Sequence, residues 1–99
     1  MENTISLEKV FTHELADLYF DEDKSYFEER WKSDTEYASD EDFKNYQLQK
    51  LEVAKTCLPR LFLCDTRSFK YVITNEMQEW TDEFVMGFWD NSPLEKLAF

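Results

Sequence analysis

The sequence predicts an α/β domain, a mixed sheet with an N-terminal β-hairpin and helices packed on it, in the order β-β-α-β-α-β. Three observations carry that prediction. Apolar and polar residues alternate between Phe11 and Trp31, apolar residues recur at helical spacing from Phe43 to Leu58 and again from Met77 to Phe88, and the short apolar segment RLFLCD runs between those helices. One Gly and two Pro among 99 residues leave few sharp turns, which argues against a sandwich of many short strands.

Ala16, Leu18 and Phe20 alternate with Asp17 and Tyr19, a period of two that suits a strand with one buried face. His13 falls in the same strand. The cluster Asp21, Glu22, Asp23 and Lys24 has turn composition. SYFEERW then sets Phe27 and Trp31 on one face against Tyr26 and Arg30 on the other, completing a hairpin.

Residues 33–38 read as a polar linker. Ser39 with Asp42 three residues on forms a capping box, and Asp40 and Glu41 place negative charge where the helix dipole favours it. On a wheel of about 100° per residue, Tyr46, Leu51, Ala54, Cys57 and Leu58 share the side of Phe43. Gln47 and Lys50 interrupt that stripe, and Lys50 is expected to carry its ammonium outward along its own stem. Pro59 ends the helix, since it cannot continue the hydrogen-bond ladder and pushes Leu58 out of helical geometry.

Leu61 to Cys64 are apolar without alternation, which predicts a strand covered on both faces. Thr74 can cap a second helix through its hydroxyl, with Glu76 and Glu79 in the first turns. Its stripe is Met77, Trp80, Phe84, Val85 and Phe88, and Met86 and Trp89 point away from it. Gly87 costs this helix about 1 kcal/mol relative to Ala. Asn91, Ser92 and Pro93 end it, and EKLAF begins another strand. A strand so short usually continues into more structure, so the single domain, residues 1–99, is expected to be incomplete at its C-terminus. An uncovered sheet edge together with Met86 and Trp89 then favours a homodimer or strand exchange.

Acidic residues outnumber basic ones 22 to 11, and a net charge of −11 repels phosphate backbones and anionic lipid surfaces. Neither nucleic acid nor membrane is an expected partner. The basic residues Lys44, Lys50, Lys55, Arg60, Arg67 and Lys70 cluster in the middle of the chain against only Glu52 and Asp65. Cys57 and Cys64 lack C-x-x-C spacing and read as small buried residues. MENTISLEKVF has neither the basic start nor the apolar run of a signal peptide, and no window approaches the roughly 18 apolar residues of a membrane span. A cytoplasmic location is expected.

Open α/β sheets place ligands where a strand ends and the next helix begins, which in this chain is DTRSFKYVITN. The candidate partner- or ligand-binding residues are therefore Asp65, Arg67, Lys70, Thr74 and Asn75. No catalytic set accompanies them. His13 lies far along the sequence from Ser68, Thr74 and Cys64, and the Glu76, Glu79 and Glu83 spacings are those of a solvated helix face. No metal or cofactor motif is present, and DEDKS lacks the Gly and distal Glu of a calcium loop.

The string DTRSFKYVITNEMQEW, with the hairpin, the SDEDF helix and the LFLCD strand before it, resembles a group of small bacterial proteins with a STAS-like fold. That is the fold of anti-sigma-factor antagonists and of the cytoplasmic domains of sulfate transporters. The resemblance implies most of such a domain, without the C-terminal strand and helices. In STAS antagonists a strand ending in Asp leads to a Ser at the next helix start, whose phosphorylation controls binding to a protein partner. By position Asp65 matches the strand Asp, and Thr74 or Asn75 the phosphoacceptor. The loop departs from the family pattern, with Ile73 in place of an acid and Glu76 in place of Gly. The resemblance implies a non-enzymatic regulatory module that binds a protein partner, Thr74 being the candidate phosphoacceptor. The alternative is a domain that binds a small anionic ligand with loop 65–75.

Overall fold

Period-two patterning shapes the first part of the chain into three strands, β1 (Leu7–Thr12), β2 (Ala16–Asp21) and β3 (Tyr26–Trp31). The computed structural model describes residues 7–99, so the leader-free reading of the N-terminus falls partly outside it. Strand β1 is one more than the hairpin expected from sequence. Its side chains are mostly exposed, so it carries little of the hydrophobic alternation by which a strand is recognised. His13 lies in the turn after β1 rather than in a strand, where its Nδ1 accepts from the Leu15 amide at 3.1 Å.

The segment expected to be a linker is a 3₁₀ turn, Ser33–Tyr37, that buries Thr35 completely. Helix α1 (Asp40–Cys57) starts as expected. Ser39 accepts from the Asp42 amide, and the Asp42 carboxylate accepts from the Ser39 amide. Leu58 leaves the helix in the left-handed region, with φ 46°, ahead of Pro59. Strand β4 (Leu61–Asp65), helix α2 (Asn75–Trp80) and strand β5 (Lys96–Ala98) follow, with Thr74 Oγ1 accepting from the Met77 amide as the cap of α2.

The order in the sheet is β1-β2-β3-β4-β5, antiparallel across the first three strands and parallel from β3 to β5. The fold is thus α/β with a mixed five-stranded sheet, in chain order β-β-β-α-β-α-β. Two crossovers of one hand advancing in one direction put both helical segments on the same face. Trp31 of β3 packs on Phe43 and Tyr46 of α1, while Phe27 and Phe62 pack on Trp89, so that face holds the core.

Strand β4 is consequently covered on one face only, contrary to expectation. Phe62 and Cys64 are buried, whereas Leu61 is exposed on the opposite face. That open face is charged in alternation. Lys9 and Lys32 pair with Asp17, Arg30 pairs with Glu28, and the Arg30 guanidinium lies 4.1 Å over the Tyr19 ring.

After α2 the chain winds as a π-helix, Thr81–Met86, and then as α3, Gly87–Asp90. Hydrogen bonds from i to i+5 insert one extra residue, so everything beyond is rotated by about 100° relative to a continuous α-helix. Met77 and Val85 of the predicted stripe are buried, and Trp80 and Phe88 pack on the core, but two positions are overturned. Trp89, expected to point outward, is buried in the core, and Met86 packs against it, while Phe84, expected inward, is exposed. Trp89 is therefore not available to the association patch expected around it and Met86.

Candidate functional site

The polar residues that interrupt the α1 stripe do not reach solvent. Lys50 Nζ lies 3.1 Å from Glu29 Oε2, and the Tyr46 hydroxyl donates to the same oxygen at 2.6 Å. Glu29 sits between Phe27 and Trp31 on the inner face of β3, so pleat and helix period bring the three groups together. The ammonium also stands 5.7 to 5.9 Å from the ring centres of Trp31, Tyr46 and Phe62, where the rings attract it. Lys50 therefore pays its desolvation with an ion pair and aromatic faces instead of extending outward. Burial, and then the neighbouring Glu29 carboxylate, push the Tyr46 phenol well above its ordinary value.

Glu29, Lys50, Trp31 and Phe62 line a cavity of about 400 Å³ between the sheet and the helices, with Tyr46 behind its wall. That volume falls in the range of small-molecule sites, roughly 300 to 1,000 Å³. Trp31, Cys64, Thr66 and Leu97 place it at the carboxyl ends of the parallel strands β3, β4 and β5. Phe69 and Ile73 form the loop side, and Thr81, Val85 and Met86 bring in the π-helix. Open α/β sheets and π-turns both favour ligand sites at such places. Burial, then Glu29, raise the Cys64 thiol, which disfavours the thiolate a nucleophile needs.

None of the five candidates predicted from sequence lines this cavity, although their neighbours Thr66 and Ile73 do. Asp65 ends β4, and Arg67 donates to it through its amide at 3.2 Å, Nε at 2.9 Å and Nη2 at 2.7 Å. The two charges satisfy each other, and Arg67 holds the Asp65 carboxyl down to about 2. The Lys70 amide donates to Thr35 Oγ1 at 2.8 Å, and Lys70 itself is exposed. Thr74 and Asn75 are exposed at the start of α2, Thr74 acting as its cap. The five do not converge on one point, since Asp65 and Arg67 form one pair at the strand end and Thr74 and Asn75 a separate helix start.

Sequence reasoning missed what holds the loop. Phe69 packs edge-on to Trp31 at 4.7 Å, and Tyr71 stacks on Phe43 at 4.5 Å while its hydroxyl donates to Asp40. With Thr35 beneath Lys70, these anchors keep the cavity wall in place. The available signals were the alternation of Phe69 with Tyr71, and three polar residues, Glu29, Gln47 and Lys50, at positions whose periodicity points inward.

Among the described residues there is no cluster of three or more His, Cys, Asp or Glu able to hold a metal, and no helix long and apolar enough to cross a membrane. Comparison of the chain with protein-family models, with curated proteins and with solved structures found no match.

Proposed function

We propose that this protein is a non-enzymatic binding module that holds a small molecule in the cavity between the sheet, α1 and the π-helix. The observation that carries this reading is the cavity itself, an aromatic chamber at the strand carboxyl ends with a buried polar cluster in its wall. A few oriented polar groups in an otherwise apolar lining supply specificity, and the apolar area supplies affinity. An anion at Asp65 and Arg67 is the less favoured ligand, because the guanidinium already makes two side-chain hydrogen bonds to its own carboxylate.

The test is thermal unfolding in the presence of small apolar compounds. A ligand at ten times its Kd adds about 1.4 kcal/mol, which raises the Tm of a chain this size by about 6 to 11 °C. Val85→Phe fills the cavity and abolishes the shift. A shift of equal size in Val85→Phe places binding elsewhere.

A protein partner is the second reading, in line with the regulatory module that the STAS-like resemblance implies. The observation in its favour is that Val72, 82% exposed, and the exposed Ile73 immediately precede Thr74. Recovery of one partner by the wild type, with loss in both Val72→Asp and Thr74→Glu, supports a phosphorylation-controlled surface there. Unchanged recovery leaves Thr74 as a helix cap.

A further inference from the structure

The polar groups of the cavity also specify which ligand it accepts, an inference that rests on the binding reading above. Lys50 and Glu29 neutralise each other, and the Tyr46 hydroxyl is committed to Glu29. Asp82 at the rim is exposed and accepts from Gln78 Nε2 at 3.0 Å. A ligand with net charge would enter an apolar site whose one buried cation and carboxylate are already matched, at a steep desolvation cost.

One polar atom is left over. Gln47, on α1 and only 3% exposed, lines the cavity, and its Oε1 has no hydrogen-bond donor. Among the described residues it is the one buried side-chain nitrogen or oxygen without a partner. A buried acceptor left unmatched is costly, so a ligand that supplies the donor gains what an isosteric ligand without one does not. The remaining wall presents the rings of Trp31, Phe43, Phe62, Phe69 and Trp89, which pack best against another ring through offset or edge contacts. We propose that the cavity takes an uncharged aromatic molecule carrying an O–H or N–H donor, and that the Gln47 amide turns on binding so that its Oε1, otherwise closed off, accepts that donor.

Calorimetric titration of the full chain with 2-naphthol, naphthalene and 2-naphthoate separates the contributions of ring, donor and charge. The expected order is 2-naphthol tightest, by about tenfold over naphthalene, with 2-naphthoate weakest. Gln47→Leu should bring 2-naphthol down to the level of naphthalene and leave naphthalene unchanged. 2-Methoxynaphthalene keeps the oxygen and lacks the donor, so on the wild type it should bind like naphthalene, a comparison that needs no variant to fold. Equal affinity for 2-naphthol and 2-methoxynaphthalene overturns the donor assignment while leaving the binding reading intact. Tightest binding by 2-naphthoate overturns the charge argument. Absence of binding by every compound overturns both this inference and the binding reading.

Discussion

Lys50 Nζ and Glu29 Oε2 meet at 3.1 Å with their side chains 4% and 1% exposed, joining the middle of α1 to the middle of β3. Removing one partner of such a pair leaves the other charge buried alone, at a cost of about 3 to 5 kcal/mol. Lys50→Met should lower the unfolding free energy by that amount. Adding Glu29→Gln, which removes the stranded charge and keeps an acceptor for Tyr46, should recover part of the loss. Urea unfolding of the two single variants and the double variant gives the coupling, and strictly additive losses would contradict a paired origin.

Thr35 holds the wall of the cavity from below. Its hydroxyl donates to the Lys32 carbonyl at 2.7 Å and accepts from the Lys70 amide at 2.8 Å. Thr35→Val keeps the shape and strands both partners, so a loss of about 1 to 3 kcal/mol is expected. Hydrogen exchange at the Lys70 amide should accelerate more than exchange in β3. Equal acceleration throughout would mean that Thr35 supports the fold at large and not the loop.

Gly87 occupies ordinary right-handed helical geometry, with φ −60° and ψ −39°, and a Cβ added there meets no atom within 4 Å. Its conformational freedom is used by nothing. Gly87→Ala should raise stability by about 0.5 to 1 kcal/mol, chiefly by restricting the unfolded chain. A destabilised variant would show that the turn from π- to α-helix depends on glycine.

Arg67 holds the Asp65 carboxyl down to about 2 through its side-chain and backbone N–H groups. Because the folded value lies below the unfolded one, the unfolded chain takes up the proton first as pH falls. The contribution is therefore complete above about pH 4 and is lost as pH drops toward about 2. The stability gap between wild type and Asp65→Ala should narrow over that interval. A gap independent of pH would show that the carboxylate form has no special partner.

The helix starts, the stop at Pro59 and the strand Leu61–Asp65 were legible because each rests on local chemistry: a capping box, a missing N–H, an apolar run. Strand β1 was not, since its exposed side chains carry no burial pattern. The wheel positions of Phe84 and Trp89 came out reversed because a π-turn changes the helical period without leaving a mark in composition. For the candidate site, loop 65–75 was legible as a strand-to-helix connection, but the residues singled out in it do not line the cavity. The cavity is built from residues distant in sequence, and Gln47 and Lys50 looked like defects in a stripe until Glu29 was brought opposite them.

Whether the cavity between the sheet and the π-helix holds a ligand is read from ¹³C-methyl NMR of methionine during titration with 2-naphthol. Met86 lines the cavity, and Met77 lies buried in the core outside its wall. A saturable shift of the Met86 methyl with little movement of Met77 is expected. A Met86 signal that stays fixed up to the solubility limit, or moves in parallel with Met77 without saturating, would overturn the ligand-site reading.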